Sequence, residues 1–182
     1  MRGRRLAFWW AGGACGCGLA AILIVGLLPG GLELVVSPKA GGEALLRVPI
    51  QPGEHFTLRY IHSVDRTPIW DEHSVDREGC IYLEEERFIK FGAGMGHWPG
   101  HGVLTSRGPF QVIERIHAPL GEFVLRVGAC EVNHTIIWRG RAFNLSRLVA
   151  GRAVVVSAQS VSPWRRLWRV PDMRGLIIDC HE

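Results

Sequence analysis

The most polar stretch of the chain runs from Tyr60 to Glu78 and contains side chains that can bind metal ions or act as nucleophile and base. The pentapeptide His-Ser-Val-Asp-Arg occurs in it twice, at residues 62–66 and 73–77. If residues 66–69 close a β-hairpin, His62 faces His73 across the two strands. Directly opposed side chains in an antiparallel pair have Cβ atoms about 4.5–5.5 Å apart, which is close enough to share a ligand. The spacing therefore predicts a pair of facing histidines.

These two histidines could form a metal site with Asp71 or Glu72, because neutral imidazole and carboxylate are ordinary zinc ligands. The alternative is a polar strand face on which both histidines hydrogen-bond to near neighbours. The chain has no His-x-His or His-Glu-x-x-His spacing and no Cys-x-x-Cys pair to support a metal. The sequence therefore favours the polar strand face, and we predict neither a metal ion nor another cofactor.

Ser63 beside His62 raises the possibility of a hydrolase. Adjacent strand residues point to opposite faces, so these two side chains cannot hydrogen-bond as nucleophile and base in a straight strand. The chain also lacks a Gly-x-Ser-x-Gly elbow. We therefore predict no catalytic residues and no enzymatic activity.

A second distinctive stretch, residues 91–102, is rich in glycine and also contains His97, Trp98 and His101. A glycine-rich loop after a strand resembles a phosphate cradle, but no Gly-Lys-Ser/Thr and no following helix accompany it. A long binding loop, in which glycines admit close backbone approach, fits better. The candidate ligand- or partner-binding residues are His62, Ser63, Asp65, Arg66, Thr67, Pro68, Glu72, His73, Gly92 and Gly94.

Short β-strands must position these residues. Between 55 and 62, apolar and polar residues alternate with a period of two, which is typical of a half-buried strand. Strands are predicted at 32–36, 44–50, 55–62, 69–75, 80–91, 110–116, 123–127, 135–138 and 153–157, separated by glycine and proline turns. Only residues 144–150 look helical or irregular, with Asn144 as a candidate cap. The pattern predicts an all-β domain, an antiparallel sandwich or barrel.

An apolar run precedes this domain. No charged residue occurs from Leu6 to Leu28, and about 20 apolar residues suffice to cross a bilayer as a helix. Three arginines lie before the run and no basic residue lies just after it, so the positive-inside rule keeps residues 1–5 in the cytoplasm. We predict a single-pass anchor at 6–28 in the bacterial inner membrane and a periplasmic domain at 32–182. A cleaved signal peptide, or a lipoprotein signal using Cys15 or Cys17, is the alternative.

Charge and cysteine content restrict the partners further. The net charge of +4 includes the three N-terminal arginines, and subtracting them leaves +1 for the rest of the chain. A nearly neutral domain predicts no nucleic-acid partner. The basic segment 164–169 could rest on lipid headgroups or an acidic surface, or simply pack on the domain. The odd number of exported cysteines, Cys80, Cys130 and Cys180, allows at most one intramolecular disulfide in the domain.

The chain resembles a bacterial family known as domain of unknown function 1850. The similarity rests on the strand ending at residues 60–65, on Thr67-Pro68-Ile69 with Glu72, and on residues 84–94 with Gly92-Ala93-Gly94. Members of this family typically carry an N-terminal membrane segment and are often encoded beside TRAP-type solute transporters of the TAXI class. The resemblance thus implies an accessory periplasmic role in solute uptake, with the transporter's permease or solute-binding subunit as partner.

Three function classes follow from these observations. The first is a membrane-tethered accessory or interaction domain beside such a transporter, because tethering raises the effective concentration for a membrane partner. The second is a small-ligand-binding module that uses the end of the sandwich near His62, Arg66 and the glycine loop. The third, a hydrolase or metal-dependent enzyme, has no assembled set of nucleophile, base and oxyanion donors to support it.

Overall fold

A computed structural model describes residues 31–90 and 100–162 of the 182-residue chain. In these residues the chain forms antiparallel strands and one short helix. The strands are β1 (Gly31–Pro38), β2 (Leu46–Ile50), β3 (His55–Ile61), β4 (Pro68–Val75), β5 (Ile81–Phe88), β6 (Val103–Arg107), β7 (Phe110–Glu114), β8 (Ala118–Pro119), β9 (Phe123–Arg126), β10 (Thr135–Trp138), β11 (Arg141–Asn144) and β12 (Ala153–Val161), and the helix α1 spans Leu145–Val149.

The strands form two sheets. The short sheet has the order β2-β1-β12-β9, and the long sheet has the order β11-β10-β3-β4-β5-β7-β6, with β8 paired to β5. One apolar cluster draws residues from both sheets, and His73 of the long sheet stacks on Phe123 of the short sheet. The two sheets therefore pack face to face, and the prediction of an all-β antiparallel domain is confirmed, in the form of a sandwich.

The core follows from alternation along the strands. Alternate residues of β1 (Leu34 and Val36) and of β3 (Phe56 and Leu58) belong to the shared cluster, although the residues between them in β1 are buried as well. A second, smaller cluster lies on the long sheet alone and consists of Ile69, Phe88 and Ile113. The face of the long sheet that carries both clusters is called the inner face below, and the opposite face the outer face.

The register of the β3–β4 hairpin differs from the predicted one. Phe56 pairs with His73 and Ile61 pairs with Pro68, so residues 62–67 form the connecting loop. The predicted turn at 66–69 is wrong, and His62 does not face His73. The offset of six residues separates the two histidines by about 20 Å along the strands, since a strand advances about 3.4 Å per residue.

Hydrogen bonds within the loop account for this register. The His62 N–H donates to Thr67 O (2.8 Å) and the Arg66 N–H donates to His62 O (2.9 Å), while the Asp65 N–H donates to His62 Nδ1 (3.1 Å). Pro68 takes the first position of β4, a strand position where the missing N–H is tolerated. The predicted turn at 66–69 included Pro68, whereas in the structure the connecting loop ends at Thr67, just before Pro68.

A β-bulge interrupts the pairing of β4 with β5. Glu72 pairs with Glu85, whereas the next residue, His73, pairs with Leu83, so Glu84 has no opposite residue. Ile81 and Leu83 face inward on one side of the bulge, and Glu86 and Phe88 face inward on the other. Residues 83 and 86 are an odd number of positions apart, so an unbroken strand could not place both on one face.

The nine predicted strands correspond to β1–β5, β7, β9, β10 and β12. The strands β6, β8 and β11 were not predicted, because they are short and carry exposed residues with no clear apolar alternation. Asn144 caps α1 as predicted, its Oδ1 accepting a hydrogen bond from the Arg147 N–H at 3.0 Å.

Several sequence predictions fall on other parts of the chain. The apolar run 6–28, the glycines at 92 and 94, and the basic segment 164–169 lie outside the described residues. No helix within 31–90 and 100–162 has the length and apolar character needed to cross a membrane. Cys80 and Cys130 do not form a disulfide with each other, and Cys180 lies outside the described residues.

Arg66 offers a test of the loop conformation, because its φ of 55° lies in the left-handed region that favours glycine. We expect Arg66→Gly to stabilise the protein by about 0.5–1 kcal/mol, as relief of backbone strain exceeds the entropic cost of glycine. Arg77→Gly is the matched control, because exposed Arg77 is not among the described residues with positive φ, and glycine should destabilise the protein there. Equal destabilisation by both variants in urea denaturation would contradict the loop conformation.

Candidate functional site: a carboxyl pair on the inner face

Two carboxyl groups lie side by side on the inner face of the long sheet. Asp71 of β4 and Glu86 of β5 are directly opposed in the antiparallel ladder. The row of paired residues across the sheet is otherwise apolar and runs Leu104, Ile113, Glu86, Asp71, Leu58, Ile136 and Phe143. The pair therefore interrupts a hydrophobic layer, with the shared core on one side and the smaller cluster on the other.

The Tyr60 hydroxyl donates a hydrogen bond to the Asp71 carboxyl, whose Oδ1 is buried with no hydrogen-bond partner among the described residues. Burial, together with the charge of Glu86, raises the pKa of Asp71 to about 8, although the Tyr60 hydrogen bond opposes this shift. Burial and the two carboxyl groups also raise the pKa of Tyr60. At neutral pH the site thus holds a protonated Asp71 and a protonated Tyr60.

Glu86 has a histidine beside it. His101, one of the residues singled out in the glycine-rich stretch, places Nε2 3.4 Å from Glu86 Oε2. The next residue, Gly102, has a φ of +64°, and a Cβ there would lie 2.6 Å from Glu114 O. Glycine at 102 therefore lets the chain pass close to β7 and deliver His101 to the carboxyl pair.

Tyr60 connects this pair to a buried polar network. Its ring stacks on His134 with centroids 5.3 Å apart. Near His134, Asn144 Nδ2 donates to Asn133 Oδ1 (2.6 Å), and both asparagines are buried. The two Asn-x-Ser/Thr sequences of the chain, at 133–135 and 144–146, thus supply internal hydrogen bonds beside the site.

The outer face of the same sheet carries a charged recess of about 510 Å³. Its lining residues are His55, Glu72, Glu84, Glu85, Arg87, Arg107, Glu114 and Arg115. Arg107 binds both Glu85 (2.9 Å) and Glu114 (2.6 Å), and Arg87 lies over the Trp70 ring at 5.3 Å. Acidic and basic groups largely neutralise one another here, which is typical of a solvated polar face.

The candidate residues predicted from sequence divide among three places. His62, Ser63, Asp65, Arg66 and Thr67 form the β3–β4 loop, and Pro68 begins β4. Lys90 Nζ lies 3.2 Å from Asp65 Oδ1, so the loop lies beside the residue that precedes the glycine-rich stretch. Gly92 and Gly94 are in that stretch, outside the described residues.

Glu72 and His73 lie on opposite faces of β4. Glu72 faces outward, accepting from Thr57 Oγ1 at 2.7 Å, with His55 Nδ1 at 3.3 Å from its other oxygen. His73 faces inward between the rings of Phe56 (4.9 Å) and Phe123 (5.5 Å). The structure therefore does not combine these two side chains with His62 into one metal site.

The chemistry available to the carboxyl pair follows from the groups around it. Within the described residues no group of three His, Cys, Asp or Glu side chains is arranged to hold a metal ion. Asp71 and Glu86 could exchange a proton or bind a hydrogen-bond donor, but no serine or cysteine in the described structure bonds to either of them. Proton exchange and ligand binding are the chemistry this arrangement offers.

The site lies inside a known family region. Residues 56–145 match the family described as Domain of unknown function (DUF1850), and this range includes Tyr60, Asp71, Glu86 and His101. The resemblance inferred from the sequence is thereby confirmed. No curated protein and no solved structure matches the chain.

The DUF1850 site contains residues that sequence analysis missed. Asp71 was considered only as a zinc ligand, and Tyr60 only as an alternating strand residue. Glu86 was not singled out at all, although the run Glu84-Glu85-Glu86 in an otherwise apolar strand was a visible signal. Which of these glutamates faces inward depends on the bulge, and no sequence pattern showed it.

We expect Asp71→Asn to remove part of the pH dependence of stability. Between about pH 4 and pH 8 the folded DUF1850 domain holds a proton on Asp71 that the unfolded chain has released, so stability falls as pH rises through this window. The slope from one such group is at most about 1.4 kcal/mol per pH unit. Chemical denaturation over this range should show a flatter profile for Asp71→Asn, which should also be the more stable protein near pH 8. Glu72→Gln, one residue away on the outer face, should keep the wild-type slope, and parallel profiles for all three proteins would refute the assignment.

The buried histidines give the opposite dependence. Burial lowers the pKa values of His73 and His134 to about 4, so below about pH 6.5 the unfolded chain takes up protons that the folded protein excludes. Stability from these groups is present above pH 6.5 and is lost as pH falls toward 4. We expect His73→Phe, which keeps a ring between Phe56 and Phe123, to lessen this acid destabilisation by about 1 kcal/mol per pH unit at most. Acid unfolding followed by circular dichroism measures the effect, with His55→Phe at an exposed outer-face histidine as the control.

Proposed function

We propose that this protein is a non-enzymatic accessory domain held at the periplasmic face of the bacterial inner membrane. It works there beside a TRAP-type solute transporter of the TAXI class and contacts the transporter's permease or solute-binding subunit. Membership of residues 56–145 in the DUF1850 family carries this proposal, because the sequence resemblance to that family implies the transporter association. In this proposal residues 6–28 form a single-pass anchor, supported by their uncharged apolar run and the three arginines before it.

The β3–β4 loop is the surface we propose for partner contact. Val64 at its tip has 69% of its surface exposed, and Ile89, beside Lys90, is also exposed. The Lys90–Asp65 ion pair holds these two apolar side chains at the same end of the long sheet. Exposed apolar residues edged by charged ones are typical of protein contact sites.

A second function, binding of a small ligand, is favoured by a separate observation. Asp71 Oδ1 is a buried polar atom without a hydrogen-bond partner in the described structure, and such atoms are rare because each costs about 1–3 kcal/mol. A ligand that donates a hydrogen bond to this oxygen would remove that cost. The two functions are compatible, since a transporter accessory could bind the solute or another small molecule.

Site-specific photo-crosslinking in native membranes tests the transporter contact. A photoreactive amino acid at position 64 should crosslink to a transporter component, which mass spectrometry identifies. The same residue at position 124 is the matched control, because Val124 is also an exposed valine (52%) but lies on the short sheet. Recovery of no TRAP component from position 64, with the transporter genes expressed, would overturn the proposal.

A further inference from the structure

We propose that the carboxyl pair Asp71–Glu86 is a binding site for a small organic cation, an ammonium or guanidinium group on an apolar carbon skeleton. This inference rests on the second function above, small-ligand binding, and does not depend on a transporter partner. The site is on the inner face of the long sheet, between β4 and β5, with Tyr60 and His101 beside it.

The first argument concerns hydrogen bonds. The Tyr60 hydroxyl supplies one donor to Asp71, and Oδ1 of the same carboxyl, buried against the sheet, has no donor among the described residues. A buried polar atom in an apolar layer is costly unless it has a hydrogen-bond partner. A ligand with N–H donors directed at Oδ1 and at the neighbouring Glu86 would satisfy both carboxyl groups at once.

The second argument concerns charge. Other carboxylates of the domain have lysine or arginine partners, such as Asp65 on Lys90 and Glu85 on Arg107. Within the described residues neither Asp71 nor Glu86 forms an ion pair with a lysine or arginine. The one basic side chain that contacts Glu86 among those residues is His101. Two directly opposed carboxylates repel one another, and this repulsion adds to burial in keeping a proton on Asp71 in the free protein. A cation from outside would remove the repulsion and allow both carboxyl groups to ionise, whereas a neutral alcohol would not.

The third argument selects an organic ligand over a metal ion. Metal ions need three or more protein ligands in most sites, and the described residues provide no such group here. The apolar cluster next to the pair has two partly buried members at its edge, Tyr60 and Ile116, which could pack against carbon atoms. The side chain of Glu86 remains 25% exposed, so a small molecule can reach the pair from solvent.

Proton release accompanies the binding that we propose. The titratable groups that face the pair are Tyr60 on β3, His101 before β6, and His73 on β4 itself, with His134 behind Tyr60. Tyr60 stays protonated because its pKa is raised, and His73 and His134 stay neutral above about pH 5 because their pKa values are lowered to about 4. The O–H bond of Asp71 therefore supplies the proton that leaves for solvent when the cation arrives. Release of one proton makes the affinity rise with pH, by up to about tenfold per pH unit below pH 8.

Benzylamine and benzyl alcohol form a matched pair of probes, because they have the same ring and differ in charge. The full chain in a neutral detergent is titrated with each compound between about pH 6 and 8, and backbone amide shifts are followed by NMR. We expect benzylamine to shift residues around positions 71 and 86, with an apparent Kd that falls about tenfold per pH unit. Asp71→Asn and Glu86→Gln should each weaken binding, and Asp71→Asn should abolish its pH dependence. Glu72→Gln, on the outer face, should bind as the wild type does.

Three results would overturn the inference. Benzylamine shifts that map to the outer-face recess, or that are unchanged in both Asp71→Asn and Glu86→Gln, would place binding elsewhere. The absence of any benzylamine shift would show that the pair does not bind cations. Equal binding of benzyl alcohol at the pair would exclude a cation-specific site while leaving the small-ligand function standing, so the two failures are distinguishable.

Discussion

The packing of two sheets around one core determines which side chains are stable on their inner faces. Each inner-face position loses water when the sheets meet, and an apolar side chain gains from this whereas a carboxyl group loses. In the cross-strand row that contains the carboxyl pair, the residues on one side, Leu58, Ile136 and Phe143, are apolar. Ile113, on the other side of the pair, is apolar as well. Asp71 and Glu86 interrupt this apolar row in the middle. The proton on Asp71, the missing partner at its Oδ1 and the position of both acids between two apolar clusters follow from that placement.

The carboxyl groups on the two faces of the long sheet differ in how their charge is neutralised. On the outer face glutamates are paired with arginines and histidines in contact with water, and such pairs contribute little to stability but keep the surface soluble. On the inner face the carboxyl pair has no described cation beyond the adjacent histidine, and the domain tolerates this by keeping Asp71 neutral. The outer-face glutamates already have cationic partners in the protein and need no ligand. Asp71, which is neutralised by a proton, could ionise if a cationic ligand bound beside it. This contrast is the reason for proposing a ligand site on the inner face rather than on the outer face.

Much of the fold could be predicted from the sequence, because alternation of apolar residues is a direct consequence of burying one face of a strand. The site could not be predicted to the same extent. The facing histidines were expected from a turn centred on Pro68, but hydrogen bonds within residues 62–67 decide the register, and these depend on backbone conformation such as the left-handed Arg66. Glu72 and His73 were correctly placed on β4 yet belong to opposite faces. The glycine-rich stretch singled out His101. Its contact with Glu86, 15 residues away in sequence, depends on how the strands pair and could not be predicted from a local sequence pattern.

The bulge at Glu84 has a consequence for how this strand can vary. The extra residue shifts the phase of β5, so that Ile81 and Leu83 before it and Glu86 and Phe88 after it all point inward. Straightening of the bulge without loss of a residue would rotate the second half of the strand by half a period and bury Glu85 and Arg87 in place of Glu86 and Phe88. Deletion of Glu84 would instead give an unbroken strand that keeps residues 83 and 86 on one face, because they would then be two positions apart. The bulge is thus the way in which a strand of this length presents its acid to the inner face.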